Sequence, residues 1–324
     1  MAILVHESGH LLVGAWAGLK PEEMIVGPFR MTFSGGSIRF RPNNRWERFG
    51  GTMRFSACSG NLDEMARKWS WMALGGPAAN LLAGLLILSL LPSSHLWTEC
   101  LMWISFSLVA ATLLPLSNGV GHSDGKLFLL LRKKSARADL LMAGVILQKD
   151  YLSELRPAEW NSEVIAATVR LLNSLPERTP EQFIEESELR MFLYCHFADK
   201  EQPEEALKYI QPVSVTSPSP AVIPLNRIMI DSLYAGHLFL HSPHGDQSRQ
   251  EAEAIVMNLP NNEPYSYHKA WAAMLSVQGK KEDASKHLSQ AQILLDRWYK
   301  PFGAYRFEQV ILSQIEDRLQ RRFS

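Results

Sequence analysis

Residues 71–91 read WMALGGPAANLLAGLLILSLL. These 21 residues carry no charged side chain, and as a helix they rise about 30 Å, the thickness of a bilayer's hydrocarbon core. A helix of that length in a water-soluble core normally keeps a polar stripe, and this run has none. Residues 96–116, LWTECLMWISFSLVAATLLPL, form a second 21-residue run with one charge, Glu99. Pro92, Ser93, Ser94 and His95 lie between the two runs, so a tight helical hairpin is expected. Upstream, residues 2–19, AILVHESGHLLVGAWAGL, are apolar except at His6, Glu7 and His10 and their small polar neighbour Ser8. Only five residues precede His6. This stretch is therefore expected to belong to a longer first helix or to enter the membrane part-way.

The whole chain has 324 residues, 46% hydrophobic, with 33 basic and 33 acidic side chains. That length suggests two domains, and the composition excludes a disordered chain, a collagen-like fibre or a disulfide-rich mini-protein. The zero net charge is an average over unlike halves. Residues 1–150 hold 15 basic and 10 acidic side chains, and residues 151–324 hold 18 and 23. An apolar, cationic part thus precedes a polar, acidic one. Cys58, Cys100 and Cys195 are odd in number and far apart, which fits inert thiols in a reducing compartment better than a disulfide framework. No cleavable signal peptide is visible, since no basic segment precedes the first apolar residues.

The segment 20–70 carries nine basic and five acidic residues, and 126–137 adds five basic ones. A hairpin of two spans returns the chain to its starting side, so both cationic segments lie together. The positive-inside rule places them in the cytosol. Within the first segment, Ile25–Phe33 and Ser37–Arg41 flank Gly35 and Gly36 and are expected to form a β-hairpin, its Phe/Arg alternation suited to a membrane surface. The run Arg132-Lys133-Lys134 suits anionic lipid headgroups rather than nucleic acid.

From about residue 150 the texture is that of helices broken by Pro or Gly. Glu188–Phe197 with Glu204–Ile210, and Tyr265–Gln278 with Glu282–Leu295, read as helix–turn–helix pairs, with Ala270, Ala273, Ala284 and Ala291 as small packing residues. The pairs are tetratricopeptide-like, without a strict 34-residue period. His237, His241 and His244 are read as part of a polar loop between helices, and neither they nor His95, His196, His268 and His287 form a metal-ligand spacing.

His6-Glu7-Ser8-Gly9-His10 is an HExxH pattern. On a helix, residues four apart share a face, so both imidazoles can reach one metal ion. Glu7 beside them is placed to act as general base toward a water at that ion. Ionisable groups inside an apolar helix cost about 2.5–3.5 kcal/mol each on insertion scales, which asks for a function. A catalytic zinc takes three protein ligands and keeps one open position. No histidine follows at the HExxHxxGxxH spacing. The best third ligand is Asp124, in LLPLSNGVGHSDG after the second long run. His122 is read as a loop residue.

In these three segments the chain resembles the site-2 protease family of intramembrane zinc metalloproteases. HESGH matches its metal-binding helix. Gly75-Gly76-Pro77-Ala78-Ala79-Asn80 matches its GPxxN segment, and LLP…SDG matches the segment that supplies its aspartate ligand. The resemblance covers about residues 1–135. It implies zinc bound by His6, His10 and Asp124, water activated by Glu7, and Asn80 beside the active site holding substrate or the oxyanion. Thr112 stands where the family usually has Asn.

The fold expected is mainly α. Residues 1–149 form a polytopic transmembrane helical metalloprotease core with a short membrane-associated β-hairpin. Residues 150–324 form a soluble, tetratricopeptide-like helical domain. The function expected is zinc-dependent hydrolysis of peptide bonds in or near transmembrane segments of membrane-protein substrates. The setting is a cell membrane, with the 20–70 loop and the tail in the cytosol. The tail is expected to bind a protein partner, because an acidic module is repelled by nucleic acid and anionic lipid. Two alternatives remain at this stage. One is an inactive membrane-anchored helical-repeat scaffold; the other is a soluble zinc protease with Glu22 or Glu23 as third ligand.

Overall fold

The structure, a computed structural model, describes residues 1–34, 36–43, 50–57, 59–90, 96–118, 121–175, 180–211, 225–241 and 246–321. The chain folds as two compact units, Met1–Ile146 and Leu147–Ser324. The division falls three residues before the expected boundary at 149, inside a helix.

The first unit begins with α1 (Ala2–Trp16), followed by β1 (Lys20–Val26), β2 (Phe29–Ser34), β3 (Ser37–Pro42) and β4 (Thr52–Ser56). Two long helices come next, α2 (Leu62–Leu90) and α3 (Leu96–Leu113). The short strands β5 (Ser117–Asn118) and β6 (Gly121–His122) lead into α4 (Asp124–Arg132), and α5 (Ala136–Tyr151) crosses into the second unit. The Pro92–His95 connection lies outside the described residues, as does Cys58.

Among the described residues, two helices, α2 and α3, are long and apolar enough to cross a membrane. The first helix is not, at 15 residues, so a third span is not found there. α2 starts nine residues before the apolar run, where Asn61 caps the helix by accepting from the Glu64 amide (3.0 Å) and Asp63 and Glu64 occupy the positive end. α3 stops at Leu113, two residues before Pro115, which cannot continue a helix.

The packing of these helices is inside out by the standards of a protein in water. α1 buries His6, Glu7 and His10 and exposes Leu12 and Trp16. α3 buries one side chain, Ser105, while Leu96, Trp97, Trp103 and Ile104 stand exposed. Exposed apolar surface of that extent is rare on a soluble monomer. Contact between α1 and α2 is made at small residues. A Cβ on Gly9 would collide with the Gly75 carbonyl oxygen, and one on Gly75 with that of Gly9. The two backbones therefore touch, as small-residue pairs allow.

The expected hairpin is part of a larger, four-stranded antiparallel sheet in the order β3-β2-β1-β4. Ile25–Phe33 is not one strand: Gly27, at φ +53°, and Pro28 turn the chain between β1 and β2. β4, TMRFS, alternates polar and apolar residues but is only five residues long, and its pairing with β1 is what identifies it. In the β2–β3 pair, Met31 opposes Phe40 and Phe33 opposes Ile38 on one face, while Arg30 opposes Arg41 and Thr32 opposes Arg39 on the other. The hairpin thus has one apolar and one cationic face, and Phe29, Ile38 and Phe40 are exposed.

The second unit is helical: α6 (Ser162–Ser174), α7 (Pro180–Asp199), α8 (Pro203–Ile210), α9 (Leu225–His241), α10 (Asp246–Met257), α11 (Pro264–Gln278), α12 (Lys281–Trp298) and α13 (Ala304–Arg321). α7 packs on α8, α9 on α10 and α11, and α11 on α12, so both expected helix pairs form. Ala270, Ala273, Ala284 and Ala291 are completely buried, which lets α11 and α12 approach closely. Gly279, left-handed at φ +77°, ends α11 and turns the chain into α12. At the centre, Lys269 donates to Glu308 (2.7 Å) and so does the Tyr265 hydroxyl (2.6 Å), all three groups buried.

One reading of the sequence is corrected by α9. His237 and His241 lie in α9 rather than in a polar loop, and His237 is buried, while His244 is outside the described residues. Of the cysteines, Cys195 is buried and Cys100 is exposed on α3, and both are free thiols.

Candidate metal centre

The two HExxH histidines sit one helical turn apart on the face of α1 turned toward α2. Their Nε2 atoms are 3.1 Å apart, with the rings edge to face. Asp124 arrives from the other end of the unit. Its Oδ2 is 3.1 Å from His6 Nε2 and its Oδ1 is 3.5 Å from His10 Nε2. The three ligand atoms lie within 4.8 Å of one another.

Asp124 is held by the turn before it. Pro115 ends α3, and Ser123 then ties the chain back. The Ser123 Oγ donates to the Leu114 carbonyl (2.6 Å) and accepts from the Leu116 amide (3.1 Å) and the Lys126 amide (3.3 Å). That last bond caps α4, whose first residue is Asp124. Gly125 sits against the Leu113 carbonyl, where any Cβ would collide, so α4 can start beside the end of α3. Burial alone would raise the Asp124 carboxyl, but the adjoining His10 and His6 imidazoles outweigh it and hold the group below its ordinary value.

Several features fit this set to a metal ion. Ligands at 2.0–2.1 Å from a tetrahedral zinc are spaced about 3.3 Å apart, close to the spacings seen. The His10 Nδ1 is 2.8 Å from the Met72 carbonyl oxygen. A carbonyl only accepts, so Nδ1 carries the proton and the Nε2 lone pair faces the centre. The Gly76 amide, 3.3 Å from the same Nδ1, is the more distant neighbour. Gly76 also supplies space. A Cβ there would lie 2.5 Å from His10 Nε2 and 2.7 Å from His6 Nε2. The missing side chain leaves a hollow beside both nitrogens.

Glu7 is buried, on the same helix turn, and lines the same cleft. Gly51, at φ +111°, passes so close that a Cβ on it would be 2.5 Å from Glu7 Oε1. The cleft has a volume of about 500 Å³. Gly51, Thr52, Met53, Thr112, His122 and Leu127 are among the residues that line it. Thr112, expected to lack the family's asparagine contact, bonds its own helix at the Leu108 carbonyl (2.9 Å). His122 is half-buried against the cleft rather than out in a loop.

Asn80 is brought near but not into the cleft. It is completely buried, with Nδ2 3.2 Å from His6 Nδ1. Glu22 and Glu23 are turned elsewhere: Glu22 faces Arg54 (3.6 Å) and Glu23 pairs with Arg30. The alternative in which either supplies the third ligand is therefore set aside. The structure also shows a contact that sequence spacing did not flag, with the Nδ1 atoms of His268 and His287 3.0 Å apart across α11 and α12.

No family model matches the chain, and neither a curated protein nor a solved structure matches it.

Proposed function

We propose that this chain is a membrane-embedded zinc endopeptidase of the site-2 protease type, hydrolysing peptide bonds in or near the transmembrane segments of its substrates. The observation that carries this reading is the convergence of His6, His10 and Asp124 beside Glu7, in a cleft between inside-out helices. His6 and His10, through Nε2, and Asp124, through its carboxylate, are the residues that would hold zinc. Zinc held there would supply Lewis acidity toward the substrate carbonyl and lower the pKa of a water at the site. Glu7 takes the proton of the attacking water on its carboxylate and passes it to the nitrogen of the departing amine.

The substrate must be extended to react, because a helical peptide bond is shielded and its polar groups are already paired. β1 has a strand on each side and is closed to it. β4 pairs with β1 on one side, and among the described residues no strand pairs with its other side. Since Gly51, Thr52 and Met53 line the cleft, the unwound substrate adds to β4 as a further strand. The β2–β3 hairpin, apolar on one face and cationic on the other, rests at the cytosolic membrane surface. α2 and α3 span the bilayer, and the acidic, tetratricopeptide-like second unit binds a protein partner in the cytosol.

Glu7→Gln tests the mechanism. Zinc remains bound, and membrane proteomics of cells carrying the active and the Gln form shows a fragment only with the active one. Full proteolysis by Glu7→Gln would refute the mechanism. Zinc bound by a chain that cleaves nothing would instead support a scaffold.

A further inference from the structure

The conclusion that follows rests on the metal-centre reading and concerns what holds His6 in its ligating form. His10 is fixed by the Met72 carbonyl, whereas His6 meets only side chains among the described residues. Its Nδ1 faces the side chain of Asn80 at 3.2 Å, in a site closed to solvent. With Nδ2 directed at Nδ1, the buried Asn80 Oδ1 has no hydrogen-bond partner among the described residues. That placement has a chemical consequence. If Nδ1 accepts, the neutral ring must carry its proton on Nε2, the atom that meets His10 and Asp124, and Nε2 then has no lone pair for a metal. The two ends of a carboxamide have the same shape, so its orientation is assigned from the hydrogen bonds. Turned end for end, the amide gives its oxygen a partner, the Nδ1–H of His6, and leaves the Nε2 lone pair directed at the centre.

We infer that Asn80 is a positioning residue of the metal centre: its side-chain oxygen accepts from His6 Nδ1–H and so fixes the ligating tautomer, and it does not touch substrate. Two further facts agree with this. Asn80 is absent from the lining of the cleft, and it has no surface open to a substrate. It lies one helical turn beyond Gly76 in α2, so the residue that leaves room for the ion and the residue that orients its ligand share one face. This role differs from the substrate or oxyanion contact that the family resemblance implied.

The test uses the full chain in detergent and measures zinc affinity by competition with a chromophoric chelator, alongside the visible spectrum of the cobalt-substituted protein. Removing an outer partner of a metal ligand costs about 10–100-fold in affinity. Asn80→Leu, similar in size but without an acceptor, is expected to weaken zinc binding by that factor and to alter the cobalt spectrum. Asn80→Asp, which keeps an acceptor facing Nδ1, restores both. Asn80→Ala serves as a second acceptor-free variant if leucine disturbs folding. Unchanged zinc affinity in Asn80→Leu or Asn80→Ala, with turnover alone reduced, overturns this inference and leaves the metal centre standing. Failure of the unaltered chain to bind zinc overturns the metalloprotease reading itself, and this inference with it.

Discussion

Replacing Gly76 with alanine adds one methyl group at the point where the two histidines converge. Its Cβ would stand 2.5 Å from His10 Nε2 and 2.7 Å from both Nε2 and Cε1 of His6, whereas ordinary contact begins at 3.4 Å. The rings must retreat by about 0.7–0.9 Å, several times the ±0.2 Å or so that a metal–ligand distance tolerates. Two of the three ligands are displaced at once. The loss in zinc affinity should therefore exceed about 100-fold, the upper end for changes that act only through a ligand's partner. Stability moves much less. Alanine in place of glycine in a helix interior gains about 1 kcal/mol, against about 1–3 kcal/mol for overpacking, so the net lies between no change and a loss of about 2 kcal/mol. Gly84→Ala is the control. It lies in the same helix and its Cβ meets the Phe106 ring at 2.7 Å, so it carries a similar packing cost far from the histidines. Zinc titration and thermal unfolding in detergent measure both quantities. Zinc bound by Gly76→Ala within about threefold of the unaltered chain, at an affinity no weaker than that of Gly84→Ala, would refute the argument that this hollow belongs to the ion.

Further outcomes are expected. Asp124→Ala abolishes proteolysis and strips zinc, while thermal unfolding of the metal-free chain changes little, because Ser123 still caps α4; retained stoichiometric zinc in elemental analysis would count against the ligand set. Lys269→Ala leaves Glu308 buried without its cation, and urea unfolding should register a loss of about 3–5 kcal/mol in the helical unit. The helical unit should also be labile to acid. Burial, with His241 beside it, pushes His237 down to about 4, whereas in the unfolded chain it titrates near 6.5. Between those values the unfolded chain binds a proton that the folded chain does not, so stability falls as pH falls from about 6.5 to about 4, by up to about 3 kcal/mol. His237→Phe should flatten that part of the stability–pH curve, and an unchanged slope would contradict the assignment.

Much of this was legible in the order of residues, and the reason is periodicity. The 3.6-residue repeat puts His6 and His10 on one face whatever surrounds them, and an uncharged 21-residue run is long and apolar in any fold. The small residues of α11 and α12 likewise marked their helices as closely packed, and all four alanines are buried. Strand limits were read less well. Gly27 and Pro28 split one apparently extended segment, and β4, though it alternates, is too short to stand out apart from its pairing with β1.

The sequence by itself determined the helix that carries the HExxH residues, the two long apolar helices and the change from an apolar to a polar half. Tertiary structure decided which residues meet. Asp124 is 118 positions from His6, and Asn80 is 74. Nothing in local spacing measures such separations. They close because Gly9 and Gly75 let two backbones touch, Gly76 leaves space beside the imidazoles, and the Ser123 turn brings α4 back to the end of α3. The same packing withdrew Asn80 from the cleft, turned Glu22 and Glu23 toward arginines, and set β4 along the cleft wall. Local periodicity specifies a helix and its faces, but which faces oppose each other depends on packing between elements far apart in the chain.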